Sequence, residues 1–234
     1  MEISTDQWIL FEIAGAGVNA TIGFTWAVMA LLVLGSWAIT ARLRHDETPS
    51  RWQIMLEVIV TTIRDQIGAM GAEAPGRYLP FIGTLFLYIA CANLLAVVPG
   101  YRPPTGSLST TTALAVCVLI AVPVFGIAQQ GFLPYLRRYI RPSVIMLPFN
   151  IIAEISRTLA LAVRLYGNVM SGTVIVAIMI GVAPFFFPIL LQLLGLLTGL
   201  IQAYIFAVLA MVYIASATRS RNSTSANNEK ENSP

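Results

Sequence analysis

Residues 144–182 read VIMLPFNIIAEISRTLALAVRLYGNVMSGTVIVAIMIGV, an apolar run with an arginine, Arg164, deep inside it. The run is nearly twice as long as the roughly 20 residues with which a perpendicular helix crosses a bilayer. Pro148, Gly167 and Gly172 are compatible with bends, but no strong turn signal divides the run. The stretch therefore predicts one bent or strongly tilted membrane helix in preference to two short spans.

The composition of the chain is that of a polytopic membrane protein. Of its 234 residues, 57% are hydrophobic and 11% are charged, whereas a soluble domain carries about 25% charged residues. Further apolar runs, long enough to cross a hydrocarbon core of roughly 30 Å, recur along the sequence. The formal net charge of +3 is explained by basic residues beside membrane spans, so it does not require a nucleic-acid partner.

The apolar runs predict about five transmembrane helices. These helices are expected at residues 21–40, 79–98, 109–127 with a kink at Pro123, 144–182 and 188–217. Residues 183–188 contain two prolines and predict a turn between the last two helices. Two long, tilted helices packed together would form a hairpin embedded in the bilayer. The predicted fold class is therefore an all-α polytopic membrane protein.

Residues 50–66 differ from the spans. Apolar residues recur there every three to four positions, and charged residues interrupt them: Arg51, Glu57, Arg64 and Asp65. This pattern is typical of an amphipathic helix in the membrane interface. Residues 219–234 are polar and rich in Asn and Ser. We therefore expect a single membrane domain, residues 1–218, followed by a disordered cytoplasmic tail.

The distribution of basic residues predicts the orientation of the chain. One side of the membrane collects nearly all of them: Arg42, Arg44, Arg51, Arg64, Arg77, Arg137, Arg138, Arg141, Arg219, Arg221 and Lys230. The other side has Arg102 and an acidic N-terminal segment. Because basic flanks stay in the cytoplasm, we expect the N-terminus outside and the C-terminus in the cytoplasm.

Arg164 lies where a guanidinium is costly. A charge at mid-membrane depth costs roughly 2.5 kcal/mol or more, and arginine does not lose its proton in proteins. A fixed positive charge attracts an ionised carboxylate and repels a cation, which indicates a part in ion translocation. No carboxylate lies one turn away on the same helix, so we expect its partner on another helix or another subunit.

Three more polar residues accompany Arg164 on this helix. Arg157 precedes it by seven positions and Asn168 follows it by four, so the three share one helical face. Glu154 lies three positions before Arg157, close enough for an ion pair that would lower the cost of both charges. Two interpretations stay open for this pair. The charges hold helices together, with Arg157 also able to extend towards the cytoplasmic side, or they belong to an ion pathway.

The residues around Arg164 resemble the a subunit of rotary F-type ATP synthases. Residues 164–168, RLYGN, are similar to the family's Arg-Leu-Phe-Gly-Asn block, and residues 147–154 to its Pro-x-Asn-x-x-x-Glu stretch. On the last helix, residues 201–206 and 212–213 are similar to the family's Gln-Ala-x-Ile-Phe and Val-Tyr. Residues 93–100 resemble its Asn-Leu-x-x-x-x-Pro loop. The resemblance covers nearly the whole chain in the expected order.

This resemblance implies a stator beside a rotating ring of c subunits, each with a membrane-embedded carboxylate. Two offset aqueous half-channels would lead to that ring. By position, Arg164 corresponds to the family's essential arginine and Gln202 to a polar residue that faces it. Asn168 corresponds to a half-channel residue and Glu154 to a polar group at the cytoplasmic inlet, while Arg157 stands where other members hold a lysine.

The same resemblance implies the surroundings of the chain. The expected partners are the c-subunit ring, the peripheral-stalk b subunits, the remainder of the ATP synthase and the lipid bilayer, with no nucleic acid and no cofactor. The expected location is the bacterial plasma (inner) membrane.

Two positions depart from the family's pattern. Many relatives carry an ionisable residue nine positions after the arginine, where this chain has Thr173, and Gly195 stands where others hold His or Glu. A hydrated pathway of neutral groups is therefore expected. Its candidate lining residues are Thr173, Ser171, Gln192, Thr198, Tyr213 and Asn93. Neutral groups also suit sodium, so proton and sodium coupling both stay open, as does a divergent or second-copy enzyme.

Two other classes of protein compete with this interpretation. A secondary transporter or channel subunit would also hold an intramembrane arginine, but the sequence has no inverted repeat. A structural scaffold would leave Arg164 unexplained. Catalysis by the chain alone is not expected, because it has no glycine-rich nucleotide loop and its one histidine, His45, lies in a basic connector. ATP chemistry is expected in partner subunits.

Overall fold

The computed structural model of the protein describes residues 9–13, 16–41, 51–70, 75–98, 100–135, 146–183 and 186–218. Two short strands come first, β1 (Ile9–Ile13) and β2 (Ala16–Asn19). The long helices are α1 (Ala20–Thr40), α2 (Arg51–Ala69), α3 (Pro75–Leu94), α4 (Leu108–Gln130), α5 (Met146–Val182) and α6 (Phe187–Thr218). Between α3 and α4 lie turns of 3-10 helix at Leu95–Val97 and Pro104–Gly106.

Five of the described helices are long and apolar enough to cross a membrane: α1, α3, α4, α5 and α6. This confirms the predicted fold class and number of spans. The helix α3 begins at Pro75, four residues before the predicted boundary, because Pro80 lies inside it without ending it. Pro123 is likewise accommodated inside α4. In lipid, neighbouring helices and local adjustments satisfy the backbone groups that a proline frees.

The helices α5 and α6 form the predicted hairpin. The helix α5 is continuous over 37 residues, which makes it about 55 Å long. The helix α6 has 32 residues, or about 48 Å. Both exceed the roughly 30 Å hydrocarbon core, so their apolar length stays within the bilayer only when they are strongly tilted. They pack against each other and are joined by a short connection between Val182 and Phe187.

The helix α6 forms the centre of the helix packing. It contacts α3, α4 and α5, while α3 also contacts α1 and α2. The contact surfaces combine large fully buried side chains, such as Ile89 and Phe206, with fully buried alanines at Ala92, Ala203 and Ala210. Since lipid tails are as apolar as leucine, close packing over small residues is what holds membrane helices together.

The amphipathic helix α2 confirms the pattern predicted for residues 50–66. Ile67 is buried, and Ile59 and Ile63 are half-buried, whereas Glu57 and Arg64 are exposed. The helix packs against α3 with this apolar face. Its charged face is thus left free for water and headgroups, as expected of an interfacial helix.

Two features near the ends of spans are not predicted by the sequence. The strands β1 and β2 form an antiparallel hairpin in which Glu12 pairs with Gly17, with an irregularity between Ile9 and Phe11. The loop after α3 is buried rather than exposed: Pro104 and Thr105 are inaccessible and lie among α1, α3, α4 and α5. Loops usually run over the surface, whereas this loop fills the space between the four helices.

Several predicted segments lie outside the described residues. They are the basic connector at residues 136–142, part of the turn at residues 183–188, and the polar tail at residues 219–234.

Candidate ion pathway

The first polar cavity lies among α4, the beginning of α5 and the end of α6, and encloses about 300 Å³. We call it the Arg157 cavity. Its polar lining residues are Tyr135, Asn150, Glu154, Arg157, Thr158, Tyr213 and Ser216. Of these, Glu154, Arg157 and Tyr213 were predicted as site residues. Tyr135, Thr158 and Ser216 were not, and Asn150 was noted only as part of the motif at residues 147–154.

Arg157 contacts an aromatic ring in this cavity. Its guanidinium carbon lies 5.8 Å from the centroid of the Tyr213 ring, within cation–π range. No ion pair joins Arg157 to Glu154 in the part of the chain that the structure describes. The spacing on α5 is compatible with an ion pair, but the guanidinium of Arg157 instead extends across the hairpin to the Tyr213 ring of α6.

The second polar cavity lies at the opposite end of the hairpin and encloses about 580 Å³. We call it the Asn168 cavity. It is formed by the end of α3, the buried loop, the second half of α5 and the beginning of α6. Its polar lining residues are Asn93, Tyr101, Arg102, Asn168, Thr173 and Gln192. Tyr101 and Arg102 were not predicted, since a loop sequence does not reveal which cavity it lines.

The Asn168 cavity is lined mainly by neutral groups. Arg102 is the one charged side chain among its described lining residues, which include neither a carboxylate nor a histidine. Thr173 and Gly195, the two departures noted in the sequence, both line it. Burial raises the pKa of Tyr101, so this phenol stays neutral and adds a hydroxyl dipole to the wall.

Two of the candidate lining residues do not line either cavity. Ser171 donates its hydroxyl to the backbone oxygen of Asn168 at 3.2 Å, and Thr198 donates to that of Gly195 at 3.1 Å. Neither residue is among those that bound the two cavities. Serine and threonine in membrane helices commonly satisfy their hydroxyls in this way, on the carbonyls of the preceding turn.

Arg164 lies on α5 between the two cavities. The α5 residues that line the Arg157 cavity end at Thr158, and those that line the Asn168 cavity begin at Asn168. Arg164 is exposed on the surface of the chain. Within the described residues it has no hydrogen bond, ion pair or ring contact. A permanent charge at the boundary between two polar cavities is thus left available to a group outside this chain.

Gln202 occupies the corresponding stretch of α6. The lining of the Asn168 cavity by α6 ends at Leu196 and that of the Arg157 cavity begins at Tyr213, so Gln202 lies between them. Its side chain is 6% exposed. Its Nε2 has no hydrogen-bond partner among the residues that the structure describes. A buried unsatisfied amide costs about 1–3 kcal/mol, so this donor is available to a group outside the described residues.

The hairpin, the two cavities and Arg164 together indicate a class of protein. A tilted membrane hairpin with a polar cavity at each end, and a permanent unpaired charge between the cavities, is the architecture of an ion-translocating membrane subunit. Comparison with known proteins then specifies the family.

The model of the family "ATP synthase A chain" matches residues 22–215. "ATP synthase subunit a 1" of Chlorobaculum parvum is 58% identical over 221 residues, 94% of this chain and 98% of the relative. "ATP synthase subunit a 2" of Acaryochloris marina is 58% identical over 219 residues, 94% of each chain. "ATP synthase subunit a" of Albidiferax ferrireducens is 57% identical over 221 residues, 94% of this chain and 96% of the relative.

The chain belongs to the ATP synthase A chain family. It is therefore a multi-pass bacterial membrane subunit of the Fo sector, an ion-translocating stator that is itself non-catalytic. It works in a complex with other ATP synthase subunits, and the catalytic sites belong to the F1 sector.

Proposed function

We propose that ions pass between the Arg157 cavity and the Asn168 cavity on a membrane-embedded carboxylate of a rotating c ring that moves past Arg164. The observation that carries this proposal is the placement of Arg164, exposed and unpaired on α5 between the linings of the two cavities. Each cavity serves as one half-channel, and the ring carries the ion between them.

The permanent charge of Arg164 explains both steps that the stator must perform. A guanidinium near a carboxylate favours its ionised form, so it expels the proton or cation that the ring carboxylate holds. The same charge in a low dielectric repels any cation that would cross directly from one cavity to the other. Arg164 thereby couples ion flow to rotation and prevents a leak.

The other predicted site residues take roles along this route. Gln202, with its unsatisfied Nε2, would supply a neutral polar group on α6 at the level between the two cavities. Asn168 forms part of the wall of its cavity beside Arg164, and Glu154 and Arg157 set the charge of the opposite cavity.

The proton is the first candidate for the coupling ion, and sodium is the second. The described lining of the Asn168 cavity offers amides, hydroxyls and carbonyls instead of titratable relay groups. Protons would then move along water held by these groups. Neutral oxygens also suit a hydrated sodium ion, and this observation keeps sodium as the alternative.

The surface of the chain supports two specific partners. Around Arg164 the exposed face is apolar, with Leu159 61% and Val163 51% exposed on α5, and Leu197 55% exposed on α6. This face fits the c ring. On α1, Trp26 is 68% and Trp37 70% exposed, which fits a membrane helix of the peripheral-stalk b subunits or lipid. We place the N-terminus outside and the C-terminus in the cytoplasm, with residues 1–218 as one membrane domain.

The test is coupled transport by the assembled complex in liposomes, with wild type compared with Arg164→Ala. We expect the variant to assemble but to lose both ion-driven ATP synthesis and ATP-driven pumping. Varying sodium at fixed pH, with and without a protonophore, identifies the ion. Coupled transport that survives Arg164→Ala would contradict the proposal and favour a secondary transporter or channel subunit.

A further inference from the structure

We propose that Asn93 is a positioning residue which, together with Thr105 and Gly199, fixes α6 against α3 and so aligns the hairpin between the two cavities. These three residues are called the Asn93 clamp. The inference rests on the proposed function, because the alignment of α6 affects transport only if ions pass along the hairpin.

The amide of Asn93 is hydrogen-bonded at both ends. Its Nδ2 donates to the backbone oxygen of Gly199 at 3.0 Å, and its Oδ1 accepts from the Thr105 hydroxyl at 3.2 Å. Asn93 is 4% and Thr105 0% exposed. Both side chains are nearly inaccessible, and breaking one of these bonds leaves a buried polar group unsatisfied. The clamp therefore ties three elements together: α3, the buried loop and α6.

Gly199 allows this close approach. A Cβ atom at that position would lie 3.1 Å from both Cβ and Cγ of Asn93 and 3.2 Å from its Nδ2. These separations are tighter than ordinary van der Waals contact, so a side chain at residue 199 would displace Asn93 or α6. Gly83, a buried glycine within α3, offers a contrast, because a Cβ there would meet nothing within 4 Å.

A second bond fixes the same two helices nearer the beginning of α6. The Nε2 of Gln192 donates to the backbone oxygen of Ala96 at 3.1 Å. Gln192 lies two turns before Gly199 on α6, and Ala96 lies one turn after Asn93 in the chain. The two helices run antiparallel, so the two bonds define one register. Gln192 is exposed whereas Asn93 is buried, which makes the Asn93 clamp the firmer of the two attachments.

The register of α6 matters because of Gln202. This residue lies three positions after Gly199 and is buried on the same face of α6. Any slide or rotation of α6 against α3 would carry Gln202 with it and change its position relative to Arg164 on α5. Since a displacement of about 1 Å remote from a reacting group is able to cost on the order of a hundredfold in rate, a firm attachment one turn away is functionally relevant.

A different role for Asn93 is separable by experiment. Asn93 itself lines the Asn168 cavity, so it is also a candidate to contact the passing ion there. Thr105 and Gly199 are not among the residues that line this cavity. Substitution of either one disturbs the clamp without replacing a side chain that lines the cavity. An effect on transport would then arise from position, not from ion contact.

The experiment measures the rate of ATP-driven pumping per assembled complex, and the amount of assembled complex, in liposomes. Thr105→Val removes the hydroxyl but keeps the shape, and Gly199→Ala inserts the methyl group against Asn93. Thr105→Ser and Gly83→Ala serve as matched controls. We expect Thr105→Val and Gly199→Ala to lower the pumping rate per assembled complex by about tenfold or more. The two controls are expected to stay within about twofold of wild type.

Any one of three results would overturn the clamp. The first is that Thr105→Val and Gly199→Ala pump like wild type, and the second is that they lower only the amount of assembled complex. The third is that Thr105→Ser loses pumping as severely as Thr105→Val. Failure of the proposed function gives a different result, namely coupled transport that survives Arg164→Ala. In that case the proposed role of the clamp would also be contradicted. Transport abolished by Arg164→Ala but unchanged by Thr105→Val overturns the clamp alone.

Discussion

The two cavities at the ends of the hairpin differ in how they are made polar. The Arg157 cavity holds two charged residues, Glu154 and Arg157, within one turn of α5. The Asn168 cavity is about twice as large, ≈ 580 against ≈ 300 Å³, and its described lining is neutral apart from Arg102. Amides and hydroxyls therefore suffice to line a polar space in this protein, while fixed charge is concentrated at one end and at Arg164 between the cavities.

Among changes to the cavity linings, the largest effect is expected from adding a charge to the Asn168 cavity. In Thr173→Lys, an ammonium about 8 Å from a passing cation would repel it by about 2 kcal/mol at an effective dielectric of 20. That corresponds to about thirtyfold slower ion-driven ATP synthesis. Thr173→Gln introduces a neutral side chain similar in length to lysine, and its rate of ion-driven ATP synthesis should stay close to that of wild type. Equal losses in both variants would show that size, not charge, limits this cavity.

A smaller effect is expected from removing a charge from the other cavity. Arg157→Met keeps an unbranched, though shorter, side chain and deletes its charge. Because Arg157 is exposed beside an open cavity, we expect coupling to persist and the rate of ATP-driven pumping to change by at most about fivefold. Arg164→Met, seven positions away on the same helix, is the matched comparison and should abolish coupling. Abolished coupling in Arg157→Met would remove the distinction between the two arginines.

The smallest effect concerns the contact between Arg157 and Tyr213. Tyr213→Leu removes the aromatic face that lies 5.8 Å from the guanidinium. We expect a loss of about 0.5–1 kcal/mol of stability, measured as a lower midpoint of thermal unfolding in detergent. Tyr213→Phe keeps the ring and should unfold near the wild-type midpoint. An equally large loss in Tyr213→Phe would assign the effect to the hydroxyl.

The tilted hairpin and its central charge were predictable from the sequence. The run at residues 144–182 is too long for a perpendicular span and contains no turn signal, and α5 is indeed continuous from Met146 to Val182. Arg164 is conspicuous because a permanent charge in an apolar run needs a function or a partner. Both inferences use only length, hydropathy and local chemistry, which a single segment reveals.

Other features depend on which helices become neighbours, and that information is not local. Spacing on α5 left an ion pair between Arg157 and Glu154 open, but the guanidinium of Arg157 lies over the Tyr213 ring of α6. Asn93 was predicted as a candidate lining residue, but its hydrogen bonds were not predicted. They join it to Thr105 and Gly199, which lie 12 and 106 positions away in the chain. The strand pairing of β1 with β2 was missed because two short strands at a terminus give a weak pattern.

The most direct test of two separate half-channels is the side from which each cavity is reached. Cys91 and Cys117, both free, are first replaced by alanine. Thr158→Cys is then the probe for the Arg157 cavity and Thr173→Cys the probe for the Asn168 cavity. Each cysteine is treated with a charged, membrane-impermeant thiol reagent in oriented vesicles that contain the whole complex. We predict that the two cysteines react from opposite sides of the membrane. Reaction of both from the same side would contradict it.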